Sequence, residues 1–112
     1  MSVSAQALDG VFGRPAAGIR ARLERADNGG WEPVGAAESD ADGQIDDWVA
    51  ERLEKGHYRI VFDSDHYFTG LGVGSAYPEV AVTFRVQYGQ DTCQVQVLLT
   101  PHSYSMYFGT RG

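Results

Sequence analysis

The chain carries one cysteine, Cys93. A single thiol excludes an intrachain disulfide and any zinc site built from several cysteines of one chain. Its neighbours Thr92, Gln94 and Val95 bring no cation to lower the thiol pKa, so Cys93 reads as a buried apolar side chain rather than a nucleophile. Long hydrophobic runs are missing as well. No segment approaches the roughly 20 apolar residues that a membrane-crossing helix needs, and no membrane partner is expected. The opening Met1-Ser2-Val3-Ser4-Ala5-Gln6 has neither the basic start nor the apolar stretch of a secretory leader. A cytoplasmic, reducing location is the expectation that follows. Positive charge is scarce too: Lys and Arg number 9 against 15 Asp and Glu, a net charge of −6. Phosphate repels such a surface, so nucleic acid is not expected as a partner. The acidity gathers in Glu38, Asp40, Asp42, Asp46 and Asp47. That stretch lacks the spacing of a calcium loop and reads as a solvated acidic loop. No metal site and no cofactor are expected.

What is present is alternation. The 112 residues, 43% of them hydrophobic and 12% aromatic, suffice for one domain, 1–112, with a small core. Ile19, Ala21 and Leu23 alternate with Arg20, Arg22 and Glu24, giving one apolar and one charged, solvent-facing side of a strand. Asn28-Gly29-Gly30 predicts a hairpin turn into Trp31–Ala37, and Asp42-Gly43 a turn before a strand over Ile45–Trp48. Tyr58, Ile60 and Phe62 share a face, as do Val80, Val82, Phe84 and Val86, and then Cys93, Val95, Val97 and Leu99. Ser103–Phe108 makes the last strand. Pro78 suits the residues leading into a strand. The pattern breaks at Ser64–Gly70, where a short helix fits, capped by Asp63 or Ser64 and ended by Gly70 or Gly72. About eight short strands and one helix predict an all-β, two-sheet sandwich.

Period two also fixes the opposite faces. With Cys93, Val95, Val97 and Leu99 inward, Gln94, Gln96 and Leu98 point the other way. Gln6 shares a face with Leu8, and Ser103 and Ser105 share one with Tyr107. These faces are neutral and rich in amides, whereas solvent-facing strands usually carry charge. Such a surface suits a subunit interface or a ligand channel.

Ala7-Leu8-Asp9, Gly13-Arg14-Pro15-Ala16, Asp40-Ala41-Asp42-Gly43, Tyr58-Arg59-Ile60-Val61-Phe62, Tyr77-Pro78-Glu79-Val80 and the run Leu98-Leu99-Thr100-Pro101-His102-Ser103-Tyr104-Ser105-Met106-Tyr107-Phe108-Gly109 occur in an order that resembles the transthyretin and 5-hydroxyisourate hydrolase family. The resemblance spans nearly the whole chain. It implies a transthyretin-like sandwich and a homotetramer, a dimer of dimers, with ligand sites in a central channel between subunits. In the hydrolases a histidine before Leu-Asp, an arginine after Asp-Gly and a histidine on the penultimate strand meet there, completed by a terminal Tyr-Arg-Gly-Ser. Here those positions hold Gln6, Gln44 and Gln94, and the tetrapeptide reads Tyr107-Phe108-Gly109-Thr110, followed by Arg111-Gly112. Glutamine has no proton to exchange near pH 7 and no formal charge. Hydroxyisourate hydrolysis needs a group of near-neutral pKa and a cation for the developing charge, so very weak hydrolysis is expected. The histidines present lie elsewhere: His57 at a strand start, His66 in the helix and His102 in the final turn.

The resemblance leaves three readings of the neutral channel. The first is a repurposed small-molecule enzyme, a cyclase or isomerase acting by orientation and hydrogen bonding. It would use Gln6, Gln44, Gln94 and Tyr107 for the chemistry, with Leu8, Gln96, Leu98, Ser105 and Phe108 binding the substrate. The second is a non-catalytic small-molecule binding protein, as transthyretin is for aromatic hormones. The third is a degenerate 5-hydroxyisourate hydrolase.

Overall fold

Where the sequence alternates apolar and polar residues, the chain is extended. The structure, a computed structural model, describes residues 2–46, 48, 53–87 and 92–111, with Thr110 and Arg111 described by backbone alone. In chain order the elements are β1 (Ser2–Asp9), β2 (Arg14–Pro15), β3 (Arg20–Asp27), β4 (Gly30–Glu38), β5 (Gln44–Ile45), β6 (Gly56–Phe62), α1 (Ser64–Gly70), β7 (Val80–Val86), β8 (Thr92–Leu99) and β9 (Tyr104–Arg111). One sheet runs β2-β1-β8-β9, with β5 also on β1; the other runs β4-β3-β6-β7. Their facing sides bury one apolar core. From the first sheet come Val3, Ala5, Ala7, Cys93, Val95, Val97 and Leu99, and from the second Leu23, Tyr58, Ile60, Phe62, Val80, Val82 and Phe84. The expected all-β sandwich with one helix is what forms.

Within β1 the inward side chains are small, Ala5 and Ala7 being fully buried. β1 pairs in parallel with β8 over its whole length, Ser2 opposite Thr92 through Asp9 opposite Leu99. The β3–β4 hairpin turns on Asn28-Gly29, both with positive φ (47° and 81°), as a two-residue turn between right-twisted strands requires. Gly30 is the first residue of the next strand. The strand expected over Ile45–Trp48 is instead Gln44–Ile45. Asp47 lies outside the described residues, and Trp48 leaves the strand to donate its indole N–H to the carbonyl of Val3 at 2.9 Å.

α1 occupies the predicted residues, but neither Asp63 nor Ser64 caps it through a side chain. Its other end closes as a Schellman motif: Val73 N–H bonds Phe68 O at 2.9 Å and Gly72 N–H bonds Thr69 O at 3.0 Å, with Gly72 at φ 76°. Tyr67 ties the helix to β1 by donating its hydroxyl proton to the buried Asp9 carboxylate at 2.7 Å. Burial, and then the Asp9 carboxylate, push the Tyr67 hydroxyl up to about 12, so it stays a donor.

Glu24 is the clearest departure on the outer face of the second sheet. The strand pattern makes it a solvent-facing charge, yet it is only 9% exposed. Arg59, its cross-strand neighbour, donates from Nε to Glu24 Oε1 at 2.6 Å, and Arg22 approaches Glu24 Oε2 at 3.4 Å. The Arg59 guanidinium in turn lies over the Trp31 ring, 4.4 Å from its centroid. The hydrogen bond from Arg59, against the cost of burial, holds the Glu24 carboxyl below the usual carboxylate range. Its stabilising contribution is therefore fully present above the unfolded pKa of roughly 4.3 and is lost as pH falls through the lower folded value. Glu24→Gln should flatten the acid limb of a stability profile below that pH. An unchanged limb in urea titrations would contradict the assignment.

Gly43 is fixed by its surroundings. Its φ is 74°, and a Cβ there would overlap the carbonyl oxygen of Ala7; Gly43 O also accepts from Ala7 N–H at 2.9 Å. Gly43→Ala should cost about 1–3 kcal/mol, read as a lower urea midpoint. A midpoint equal to wild type would show that the turn is free to move off β1.

Candidate functional site

The outer face of the first sheet is built in rows, because pairing registers place alternate residues side by side. One row runs Gln44, Gln6, Gln96, Tyr107 across four strands, as Gln6 opposes both Gln44 and Gln96 and Gln96 opposes Tyr107. On one side lies Ser4, Gln94, Gly109, and on the other Pro15, Leu8, Leu98, Ser105. Not one of these residues carries a charge. Adjacent strands sit roughly 4.8 Å apart, so a row of four spans the width of a fused-ring molecule.

The face is also open. Tyr107 is 64% and Leu98 42% exposed; Gln94 and Ser105 are exposed, while Leu8, Gln6, Gln44 and Gln96 are half-buried. Gly109 shapes it: a Cβ at that position would meet Tyr107 Cε1 at 3.0 Å and its hydroxyl oxygen at 3.2 Å. The bare glycine therefore lets the Tyr107 ring lie along β9 towards the row that holds Gln94.

Gln6 is not free. Its side-chain oxygen accepts from Gln96 Nε2 at 2.7 Å, and its Nε2 donates to the backbone carbonyl of Asp42 at 3.3 Å. That carbonyl is positioned by Asp40, whose Oδ1 accepts from the N–H groups of Asp42 and Gln44, each at 2.9 Å. The acidic loop thus has local work beyond solvation: Asp40 closes a turn that presents one carbonyl to the face. The pattern of charges alone does not disclose this.

Eight of the nine residues expected at the site share this face. Phe108 is the exception. It opposes Val95, packs against the core and holds its ring 5.6 Å from that of Phe84. The expectation that Phe108 lines a ligand site is corrected by strand alternation itself, which sends residues 107 and 108 to opposite sides. Sequence reasoning missed Ser4 and Gly109, each recoverable as the i±2 neighbour of a chosen residue. Arg111 stands opposite Thr92 in the next row; Gly112 lies outside the described residues. The histidines stand apart from the rows. His57 accepts from Arg85 Nε at 3.3 Å on the second sheet, His66 is exposed on α1, and His102 is exposed in the turn before β9.

Chemically, the rows offer amides, hydroxyls and apolar surface, a set that hydrogen-bonds and orients but supplies no group exchanging protons near pH 7. Cys93 faces the core, and burial raises its thiol to about 12. It is no nucleophile for this face. Among the described residues no helix is long and apolar enough to cross a membrane, and no cluster of His, Cys, Asp and Glu is placed to hold a metal ion.

Comparison with known proteins agrees with this architecture. A probable 5-hydroxyisourate hydrolase of Caenorhabditis elegans is 35% identical over 111 residues, covering 97% of this chain and 81% of the relative. The solved structure of sea bream transthyretin in complex with thyroxine superposes with a TM-score of 0.92 at 26% identity, covering 99% of this chain and 97% of that one. The 5-hydroxyisourate hydrolase of Klebsiella pneumoniae does so with a TM-score of 0.87 at 25% identity, over 97% and 99%. The model of the HIUase/Transthyretin family matches residues 3–109, and the chain belongs to that family.

Proposed function

We propose that this protein acts on a neutral small molecule held against the outer face of the first sheet, in a channel formed between copies of the chain. The reaction we assign is an intramolecular ring closure or isomerisation, driven by orientation and hydrogen bonding. A single observation carries the reading: three adjoining rows of residues hold amides, hydroxyls and apolar groups without one charge. Among the described residues neither Gln94 nor Gln44 makes a side-chain hydrogen bond, so their amides can polarise a carbonyl, and Tyr107 adds a hydroxyl and a ring face. Leu8 and Leu98 supply apolar surface, and Gln6 supports Gln96 from behind. Holding a flexible substrate in its reactive conformation accelerates ring closure without any acid–base pair. The assembly we assign is a homotetramer, a dimer of dimers, in the cytoplasm.

The likeness to a transthyretin solved with thyroxine favours a second reading, a binding protein without chemistry. The likeness to hydroxyisourate hydrolases keeps a third, a degenerate hydrolase. A ligand-observed NMR screen of neutral, carbonyl-rich ring precursors, run with wild type, Gln94→Leu and Tyr107→Leu, separates the first two. The proposal expects hits that both variants weaken by roughly 2–10-fold, the worth of one neutral hydrogen bond, and a product of unchanged mass on incubation. Hits recovered unaltered support the binding protein. Hits indifferent to both substitutions would place the site elsewhere.

A further inference from the structure

Most amides can present either end to a ligand, since oxygen and nitrogen exchange places by a half turn of the side chain. On this face one cannot. The backbone carbonyl of Asp42 only accepts, so the end of Gln6 that meets it is Nε2. Gln6 must then turn its oxygen to Gln96, and the end of Gln96 that meets this oxygen is Nε2. The order of donors and acceptors is set by a main-chain atom and propagates through two side chains. What remains is the second N–H of Gln96 Nε2, on the end of the amide nearer Gln6, and the oxygen of Gln96, on the end away from Gln6, with no donor to that oxygen among the described residues. Gln96 is half-buried between Gln6 and Tyr107.

We infer that Gln96 is the specificity-determining residue of the site, with an oxygen of fixed orientation that takes a hydrogen bond from an N–H or O–H of the ligand, and that Gln6 is the positioning residue behind it. The ligand is then a neutral molecule with a donor, such as a phenol, an enol or a ring amide, at the centre of the row. A carboxylate or bare carbonyl set there would leave two acceptors facing each other, each stripped of water. Gln44, Gln94 and Tyr107 have no such constraint among the described residues and can meet donors or acceptors. The inference rests on the proposed ligand site and adds the polarity of its central contact.

Two probes that differ only in the donor test it: 2-naphthol and 2-methoxynaphthalene, titrated into ¹⁵N-labelled protein with the side-chain amides of Gln6, Gln94 and Gln96 followed by NMR. The expected result is that both perturb Gln94 and Gln96, and that the naphthol binds roughly three- to tenfold more tightly than its ether. In Gln6→Leu the Gln96 amide is released to turn either way, so the ratio falls towards one while the ether still binds. In Gln96→Leu the ratio also falls towards one. Equal affinity of the two probes in wild type, with shifts on this face, would overturn the inference and leave the ligand site standing. A ratio unchanged in Gln6→Leu would overturn the positioning role. Binding of neither probe to this face overturns the inference together with the site itself.

Discussion

5-Hydroxyisourate added to this protein is expected to decay at close to its uncatalysed rate. The hydrolases of the family use two histidines and an arginine at positions that here hold Gln6, Gln94 and Gln44. An amide neither takes a proton from water near pH 7 nor carries charge to offset a developing anion. General acid–base assistance alone is typically worth about 10²–10⁴-fold, and the cation is lost with it. The structure sharpens the reason. Gln6 is bonded at both ends, to Asp42 O and to Gln96, so even its amide is occupied within the protein. The triple variant Gln6→His, Gln44→Arg, Gln94→His should raise the rate. Adding Phe108→Arg is a poorer restoration, because position 108 faces the core beside Phe84. Spectroscopic turnover by wild type comparable to that of an ordinary hydrolase of the family would refute the loss of this activity.

The second large effect is expected from a charge set into the neutral face. Leu98 lies between Leu8 and Ser105 in its row, and at 42% exposure an aspartate there remains hydrated in the isolated chain. If a copy of the chain covers the face, Leu98→Asp buries a carboxylate without a partner. An unpaired buried charge costs several kcal/mol after relaxation, so at about 1.4 kcal/mol per factor of ten the assembly should loosen by at least ~10²-fold. Sedimentation over a range of concentrations reads this as dissociation into smaller species that keep their β-sheet spectrum. Thr83→Asp, exposed on the second sheet opposite Arg59, should leave the mass unchanged. Equal masses for Leu98→Asp and wild type would mean that the face is not covered.

Much of this molecule can be read along the chain because its strands alternate cleanly. Val80, Val82, Phe84 and Val86 are all buried, as period two requires, and the break at Ser64–Gly70 is a helix with Gly72 past its end. The candidate site was legible as a set of faces and not as a set of neighbours. That Gln6 meets Gln96 depends on the parallel pairing of strands 90 residues apart, a register no local pattern encodes. Glu24 misled for a similar reason: Arg59, which makes its shortest ion pair, stands on a neighbouring strand and is brought to it by pairing register. Phe108 was legible, since a residue next to Tyr107 in a strand cannot share its face. The family's arginine at that position drew the expectation away from the alternation.

The central claim is that the uncharged face is covered by other copies of the chain and so becomes a shared ligand channel. Light scattering of wild-type protein at micromolar concentration tests it most directly. The account expects a single species at four times the 12.2 kDa chain mass. A stable monomer would contradict it, leaving Leu98 and Tyr107 open to water and the channel without walls.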